Sequence, residues 1–283
     1  MAITNFIPEI WSANILANLR DTLVYAQPGV VNRDYEGEIA QAGDTVHITA
    51  FNDPAVRSYT KNNDITWDLL TDTQQSLVVD QADYFAFTVD DIDRRQALPG
   101  FVQEATAGAA YNLAAEADEY VAGKMVDAID GTDQDLGSFT ADISDKTAYS
   151  LFVEMRTKLT RSKCPQEGRW VIVPPELTAA LLQDDRFIRA DAAGTTDGLR
   201  NGVVGRIAGF EVIEANVVPE PTAGVYHVIA GHPWATTYAE QIAQTEALRL
   251  ENQFGDGIRG LHLYGAEVIR PELLVLASVT VQD

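Results

Sequence analysis

The sequence has a single cysteine, Cys164, in 283 residues. One thiol excludes an intramolecular disulfide and a thiolate zinc site, and it indicates a protein that folds in a reducing compartment. Long hydrophobic runs are also missing. The longest, from Leu273 to Val281, is interrupted by Ser278 and Thr280 and falls well short of the roughly 20 residues that span a bilayer. The N-terminal segment has no basic residue before Arg20 and no apolar core, so no secretory signal is predicted.

Basic residues are scarce. The chain has 20 Lys and Arg against 42 Asp and Glu, a formal charge of −22 at pH 7, and the acids are scattered rather than gathered in a tail. A surface this negative repels phosphate backbones and anionic membranes. The hydrophobic content of 46% is ample for a core. The composition therefore predicts a globular protein with no membrane association and no direct recognition of nucleic acid.

Motifs for nucleotides and metals are absent from the sequence. Neither G-x-G-x-x-G nor the phosphate-loop pattern occurs, and the glycines from Gly202 to Gly209 have the wrong spacing for either. The acidic turn at Asp130, Asp133 and Asp135 lacks the glycine and the glutamate that a calcium loop requires. The histidines form no H-E-x-x-H pair; they are His47, His227, His232 and His262. We therefore expect no catalytic, metal-binding or cofactor-binding residues and no cofactor.

A Ser/His/Asp site and a pair of catalytic carboxylates both stay open, because such groups meet in space and not in sequence. With 42 acidic residues, an acidic glycoside hydrolase stays open as the alternative among enzymes. It would need a deep cleft with two carboxylates about 5–9 Å apart. The sequence has no G-x-S-x-G elbow, which removes the corresponding signal for a serine hydrolase.

A long alanine-rich segment predicts one helix over residues 99–129. Pro99 suits the first helical position, and the glycine of Asp130-Gly131 suits the end. Residues 99–129 would extend about 46 Å at 1.5 Å per residue. Small and apolar residues recur every three or four positions and draw one buried stripe: Ala110, Ala114, Ala117, Val121, Met125 and Ala128. We expect a sheet to lie closely against this stripe.

The segment before the helix predicts elements that project from the body. Residues 1–11 indicate an extended arm, followed by a short helix from Ser12 to Gln27. Residues 40–90 predict a β-hairpin with an outgoing strand at Val46 and Ile48. Its returning limb would run from Ser76 to Val79 and continue from Phe85 to Val89. An isolated two-stranded ribbon is marginal in water, so we expect it to lie on a partner.

Large apolar and basic side chains in the arm and the hairpin are the candidate contacts between subunits. They are Phe6, Ile7, Trp11, Arg57, Tyr59, Lys61 and Trp67. Lys61 lies at the predicted hairpin tip beside two asparagines. It is either a solvated turn charge or a contact, covalent or not, with an adjacent subunit.

The rest of the chain alternates short helices and strands. A helix is predicted from Ala148 to Leu159 and a buried strand at Trp170–Val173, followed by a helix opened by Pro175. The glycine-rich residues 190–205 predict a mobile loop, and the acidic residues 130–145 predict a surface loop, with or without a short hairpin in it. Strands are predicted at 209–213, at 225–229 and in the closing portion 246–281. This order indicates an α+β fold rather than a doubly wound one.

Three segments of the chain carry a resemblance to a known family. They are Arg169–Pro175 with Leu181-Leu182 and Asp185-Arg-Phe187, then Gly205–Val212 leading to Asn216 and Pro219, and finally Gly260–Glu272. In this order, joined to the arm, hairpin and long helix, they resemble the major capsid proteins of tailed bacteriophages, which have the Hong Kong 97-type fold. The resemblance covers nearly the whole chain.

The resemblance implies a division of the chain into the parts of that fold. These would be an N-terminal arm (1–39), an extended loop lying over a neighbouring subunit (40–88), a peripheral domain (89–146) built on a spine helix (99–129), an axial domain (147–232) and returning strands of the peripheral domain (233–283). The loop at 190–205 would lie nearest the symmetry axis. No charged helical segment precedes residue 12, so a separate scaffolding protein or none is expected.

The function implied is structural and not enzymatic. Copies of the chain would assemble into pentamers and hexamers and then into an icosahedral shell around double-stranded DNA, without sequence-specific binding. Portal and decoration proteins would be further partners. The protein would be made and assembled in the host bacterial cytoplasm and would end in the virion. An encapsulin-like bacterial nanocompartment shell is the alternative within the same fold.

Overall fold

The structure is a computed structural model that describes residues 23–34, 45–51, 56–59, 61, 64, 67, 72–90, 101–142, 147–183, 205–250 and 254–282. Its helices are α1 (Phe101–Ile129), α2 (Ala148–Arg161) and α3 (Pro175–Leu182), with a 3-10 turn at Pro271–Leu273. Its strands are β1 (Thr45–Phe51), β2 (Asp72–Val78), β3 (Gln81–Asp90), β4 (Asp135–Asp142), β5 (Trp170–Val173), β6 (Arg206–Ile207), β7 (Phe210–Glu214), β8 (Val225–Gly231), β9 (Thr236–Arg249), β10 (Gly255–Val268) and β11 (Leu274–Gln282).

Helix α1 confirms the long helix that the sequence predicts, and its start at Phe101 leaves Pro99 outside the described residues. It ends at Ile129, and Gly131 follows with φ +67°, a left-handed conformation that glycine adopts without strain. The predicted stripe is buried from Ala110 to Met125, but Ala128 is only half-buried because Ile129 takes its place in the core. The helix contacts β3, β8, β10 and β11.

The largest sheet has the order β4-β11-β8-β5-β7-β6. It is mixed, because β11 runs parallel to β4 and antiparallel to β8, while β5 runs parallel to β7. Strand β5 is buried along its whole length, as the sequence predicts for Trp170–Val173. The predicted division at residue 232 falls beside β8, which pairs with both β5 and β11. One continuous sheet therefore joins residues that the sequence assigns to the axial and peripheral parts.

The prediction of a surface loop at 130–145 is wrong over β4. Residues 135–142 form a strand that pairs with β11 in the large sheet. This strand has no clear hydrophobic pattern, because most β4 side chains are half-buried or exposed and Ala141 is its buried residue. Helix α2 agrees with prediction, since the expected stripe from Ala148 to Leu159 is buried.

A second sheet has the order β3-β10-β9, and β9 and β10 form a long antiparallel hairpin. The expectation that residues 85–89 return along β1 is wrong. These residues belong to β3, which pairs with β10 from Gln81↔Tyr264 to Asp90↔Gly255. The strand pattern itself was correct; its partner lies more than 160 positions away, and alternation in a sequence does not identify a partner.

Strands β1 and β2 form the antiparallel hairpin that the sequence predicts, from Thr45↔Val78 to Phe51↔Asp72. The two strands make a two-stranded sheet of their own. The hairpin therefore projects from the second sheet as a ribbon, and β2 contacts β10 at its base.

The segment 23–34 packs into the body of its own chain, and its buried residues are Leu23, Tyr25, Ala26, Val30 and Val31. A helix to Gln27 is predicted, but residues 24–27 form bends, and the part before residue 23 lies outside the described residues. The expected break at Gln27-Pro28-Gly29 is a turn closed by the Val30 N–H on the Gln27 carbonyl at 2.9 Å. The predicted loop at 190–205 is outside the described residues except for Gly205.

Candidate assembly surfaces

The projecting hairpin carries the predicted contact residues that the structure describes. Tyr59 is 70% exposed and Trp67 is 87% exposed, and Arg57 and Lys61 are exposed beside them. Large aromatic side chains that are solvent-exposed in the single subunit indicate a surface that contacts another subunit. Phe6, Ile7 and Trp11 lie outside the described residues.

The root of the hairpin is firmly held by the body. Leu77 and Val79 are fully buried in a small cluster with Ala239 and Leu263. The hydroxyl of Tyr120 on α1 donates a hydrogen bond of 2.8 Å to the Asp80 carboxylate, between β2 and β3. The described base of the ribbon is therefore fixed, while its described far residues are exposed.

A buried polar cluster ties the segment 23–34 to the second sheet. The Glu240 carboxylate on β9 is ion-paired with Arg33, accepts the hydroxyl of Tyr238 at 2.9 Å, and lies 3.4 Å from His262 Nε2. The guanidinium of Arg33 also lies 5.2 Å from the centre of the Tyr238 ring and donates to the Ala26 carbonyl at 3.2 Å. Removing Arg33 or Glu240 would break a buried ion pair, which is strongly destabilising.

The electrostatics of Glu240 follow from this arrangement. Burial alone would raise the pKa of Glu240, but the neighbouring His262 ring and the charge of Arg33 outweigh burial and hold the pKa below its ordinary value. Glu240 is therefore ionised at neutral pH and anchors Arg33, which belongs to the N-terminal segment. The cluster positions an element of the fold.

Asp118 on α1 holds the same segment at a second point. Its carboxylate accepts the backbone N–H groups of Val24 at 2.7 Å, Tyr25 at 3.0 Å and Ala26 at 3.0 Å. Burial raises the pKa of Asp118 to about 6, although these three donors favour the charged form. The side chain replaces the carbonyls that a helix would have offered, which explains why residues 24–26 are not helical.

Sequence reasoning missed these polar residues. Asp118 could have been found, because it is a charged residue one position after Ala117 on the apolar stripe of α1. Arg33 and Glu240 left no local signal, since they are 207 positions apart and meet only in the fold. His262, which belongs to no metal-binding motif in the sequence, is fully buried beside Glu240.

A groove of about 750 Å³ runs between β3 and α1. Phe85 and Phe87, stacked at 6.2 Å, supply an apolar wall, while Asp83 and Glu116 supply negative charge. A second groove, of about 680 Å³, lies between the C-terminal half of α1 and residues 217–221. Both grooves could receive a segment of another chain.

A metal site and a membrane-spanning helix each place a requirement on the described residues. Within the described ranges, no group of three or more Asp, Glu, His or Cys side chains could hold a metal ion. No helix in the part of the chain that the structure describes has an apolar stretch long enough to cross a bilayer.

Comparison with known proteins gives consistent matches. The family model described as phage capsid protein matches residues 70–277. A solved structure from Mycobacterium phage Che8 is 32% identical, with 98% of each chain covered and a TM-score of 0.72. No curated protein matches the chain.

Two more distant structures share the fold. The capsid structure of the cyanophage P-SCSP1u is 14% identical, covering 87% of this chain and 85% of its own, with a TM-score of 0.68. The mature capsid of bacteriophage PhiM1 is 15% identical, covering 83% and 82%, with a TM-score of 0.64.

Proposed function

The chain belongs to the phage capsid protein family and is a major capsid protein of a tailed phage, and we propose that its copies close the icosahedral head by covering one another's projecting surfaces. It is a structural protein and not an enzyme. The glycoside hydrolase alternative is therefore wrong: the acidic residues on which it rested belong to a capsid protein. The 32% identical phage relative favours a phage head over an encapsulin-like nanocompartment.

The observation that carries the proposal is the β1–β2 hairpin, whose root is buried and whose described far residues are exposed. We assign this hairpin to the extended loop of 40–88, residues 1–39 to the arm and α1 to the spine helix. The remaining divisions are proposed with them: 89–146 for the peripheral part, 147–232 for the axial part and 233–283 for the returning strands of the peripheral part. Residues 81–88 lie in β3, which pairs with β10, so the projecting part of the loop ends near Val79.

The hairpin of one copy would lie on the neighbouring copy. The groove between β3 and α1 suits it, because Phe85 and Phe87 can receive Trp67, and Asp83 and Glu116 complement the basic residues Arg57 and Lys61. Burial of apolar surface stabilises such a contact by about 25 cal/mol per Å². Each contact is modest, and its repetition around pentamers and hexamers closes the shell. We leave Lys61 as a contact residue and assign it no crosslink.

The charge of −22 supports enclosure of DNA without sequence-specific binding. A wall that repels phosphate lets packaged double-stranded DNA move during entry and exit. A scaffolding protein, a portal and a decoration protein are the partners we propose beside further copies of the chain, with assembly in the host bacterial cytoplasm.

Deletion of residues 52–71 tests the proposal. Joining Phe51 to Asp72 through an Asn-Gly turn keeps the register of β1 and β2. We expect a subunit with wild-type circular dichroism and melting temperature that forms no stable shells by electron microscopy, because its contact surface is gone while its core is intact.

The matched control replaces residues 52–71 by a flexible linker of equal length, which removes the side chains but keeps the reach. We expect it to fail in assembly as the deletion does. Normal shells from the deletion would contradict the proposal. An unfolded deletion variant would also contradict it, since the loop would then stabilise its own subunit.

A further inference from the structure

Strand β10 passes directly beneath the root of the hairpin at Gly265. A Cβ atom on Gly265 would lie 2.3 Å from the carbonyl oxygen of Val78 and 2.9 Å from the Cα of Val79. Both distances are far below van der Waals contact, and both atoms belong to the backbone, which cannot rotate aside as a side chain can. Glycine inside a strand weakens it, and it often marks a close approach of another backbone.

Other glycines of β10 have different surroundings. A Cβ on Gly257 would meet the side chain of Leu250 at 3.2 Å, and one on Gly260 would meet the ring of Phe85. A flexible side chain such as Leu250 can move by a few tenths of an ångström. Gly265 therefore differs from Gly257 in touching the hairpin's own main chain.

The contact at Gly265 lies within a short, well-fixed span. Leu77 and Val79, on either side of Val78, are buried in the small cluster with Ala239 and Leu263. Three residues before Val78, the Gln75 side-chain amide donates to the Ile269 carbonyl at 3.2 Å. After the root, Tyr120 holds Asp80. The hairpin therefore contacts the body at several points. At one of them, Gly265 determines how closely the β10 backbone approaches the hairpin backbone.

We propose that Gly265 is a positioning residue that sets the angle at which the β1–β2 hairpin leaves the subunit, and through that angle the curvature of the shell. This inference rests on the proposed function, because the angle matters only where the hairpin covers a neighbour. A methyl group at 265 must raise the root by about 1 Å to reach van der Waals contact. Residues 75 and 78 are about 10 Å apart at 3.3 Å per residue, so the ribbon tilts by about 6° around residue 75, and Asp72, about 10 Å on the other side of residue 75, moves by about 1 Å.

The test compares particles formed by the full-length wild type, Gly265→Ala and the control Gly257→Ala. Each is expressed alone and with the other head proteins of the phage. We expect Gly265→Ala to keep a cooperative melt and to give particles whose mean diameter lies outside the wild-type distribution, or open sheets instead of closed shells. The control should give wild-type particles, because its new methyl group meets a side chain that can yield.

A second variant covers the case in which Gly265→Ala does not fold. Tyr120→Phe removes the hydroxyl that holds Asp80 and adds no atom, so the root loosens without a clash. We expect a broader distribution of particle diameters at a nearly unchanged melting temperature. A purely structural role for Tyr120 would change the melting temperature and leave the diameters alone.

The outcomes separate the two proposals. Folded Gly265→Ala subunits that form shells of wild-type diameter overturn the positioning role, as does a wild-type diameter distribution from Tyr120→Phe when Gly265→Ala is unfolded. If the wild type forms no shell under either condition, the proposed function itself is contradicted.

Discussion

At the scale of single residues, buried polar groups decide how the N-terminal segment is attached. Asp118 accepts three backbone N–H groups from residues 24–26, and Glu240 holds Arg33 of the same segment. A buried donor left without its acceptor costs about 1–3 kcal/mol. The segment is therefore fixed by a few side chains on α1 and β9 as well as by its apolar residues.

Substitution of Asp118 by alanine should detach this segment. Three donors lose a charged acceptor, so we expect the free energy of unfolding to fall by about 3 kcal/mol or more. Denaturant titration measures the loss, and hydrogen exchange should show faster exchange of the Val24, Tyr25 and Ala26 amides. The control is Glu119→Ala at the next, exposed position, where we expect a change within about 0.5 kcal/mol. Unchanged protection of the three amides would contradict the clamp.

The raised pKa of Asp118 gives this clamp a dependence on pH. The folded-state pKa of about 6 lies above the ordinary value of about 3.9, so the folded chain binds the proton more tightly than the unfolded chain. The wild type should therefore gain about 1 kcal/mol of stability from this group between pH 7 and pH 5. Asp118→Asn cannot titrate there, so the stability difference between wild type and variant should shift toward the wild type as pH falls. A difference that is constant or shifts the other way would contradict the raised pKa.

At the scale of elements, local periodicity predicted the buried faces of the helices well, but it did not predict which strands pair. The stripe of α1 and the buried residues of α2 follow from i, i+3 and i+4 spacing. Most of β9 was missed because Glu240 is a charged residue inside it, and only the fold supplies the Arg33 that makes its burial tolerable. The position of β3 beside β10 could not be predicted, since alternation identifies a strand but not its partner.

The small residues of α1 let the sheets approach closely, which makes the helix sensitive to added volume. Ala117 is fully buried, whereas Ala128 is half-buried. We expect Ala117→Leu to lower the free energy of unfolding by about 1–3 kcal/mol through overpacking, measured by denaturant titration. Ala128→Leu is the matched control and should cost clearly less, because its side chain can extend into solvent. Equal effects at both positions would contradict close packing at Ala117.

At the scale of the whole molecule, the protein combines a packed body with a ribbon that projects from it. The body contains both larger sheets and all three described helices, and the ribbon carries Tyr59 and Trp67 in solvent. The family resemblance was visible in the sequence because three ordered segments, joined to the arm, hairpin and long helix, cover nearly the whole chain. The contact residues remain predictions, because an interface between copies leaves no periodic pattern in one copy.

The most direct test of intermolecular burial is a cryo-electron microscopy reconstruction of head particles built from this protein. The account predicts closed icosahedral shells in which the hairpin between Thr45 and Val78 lies on the neighbouring subunit and covers Tyr59 and Trp67. It would be contradicted by shells in which this hairpin lies against its own subunit, or in which both aromatic side chains stay in solvent.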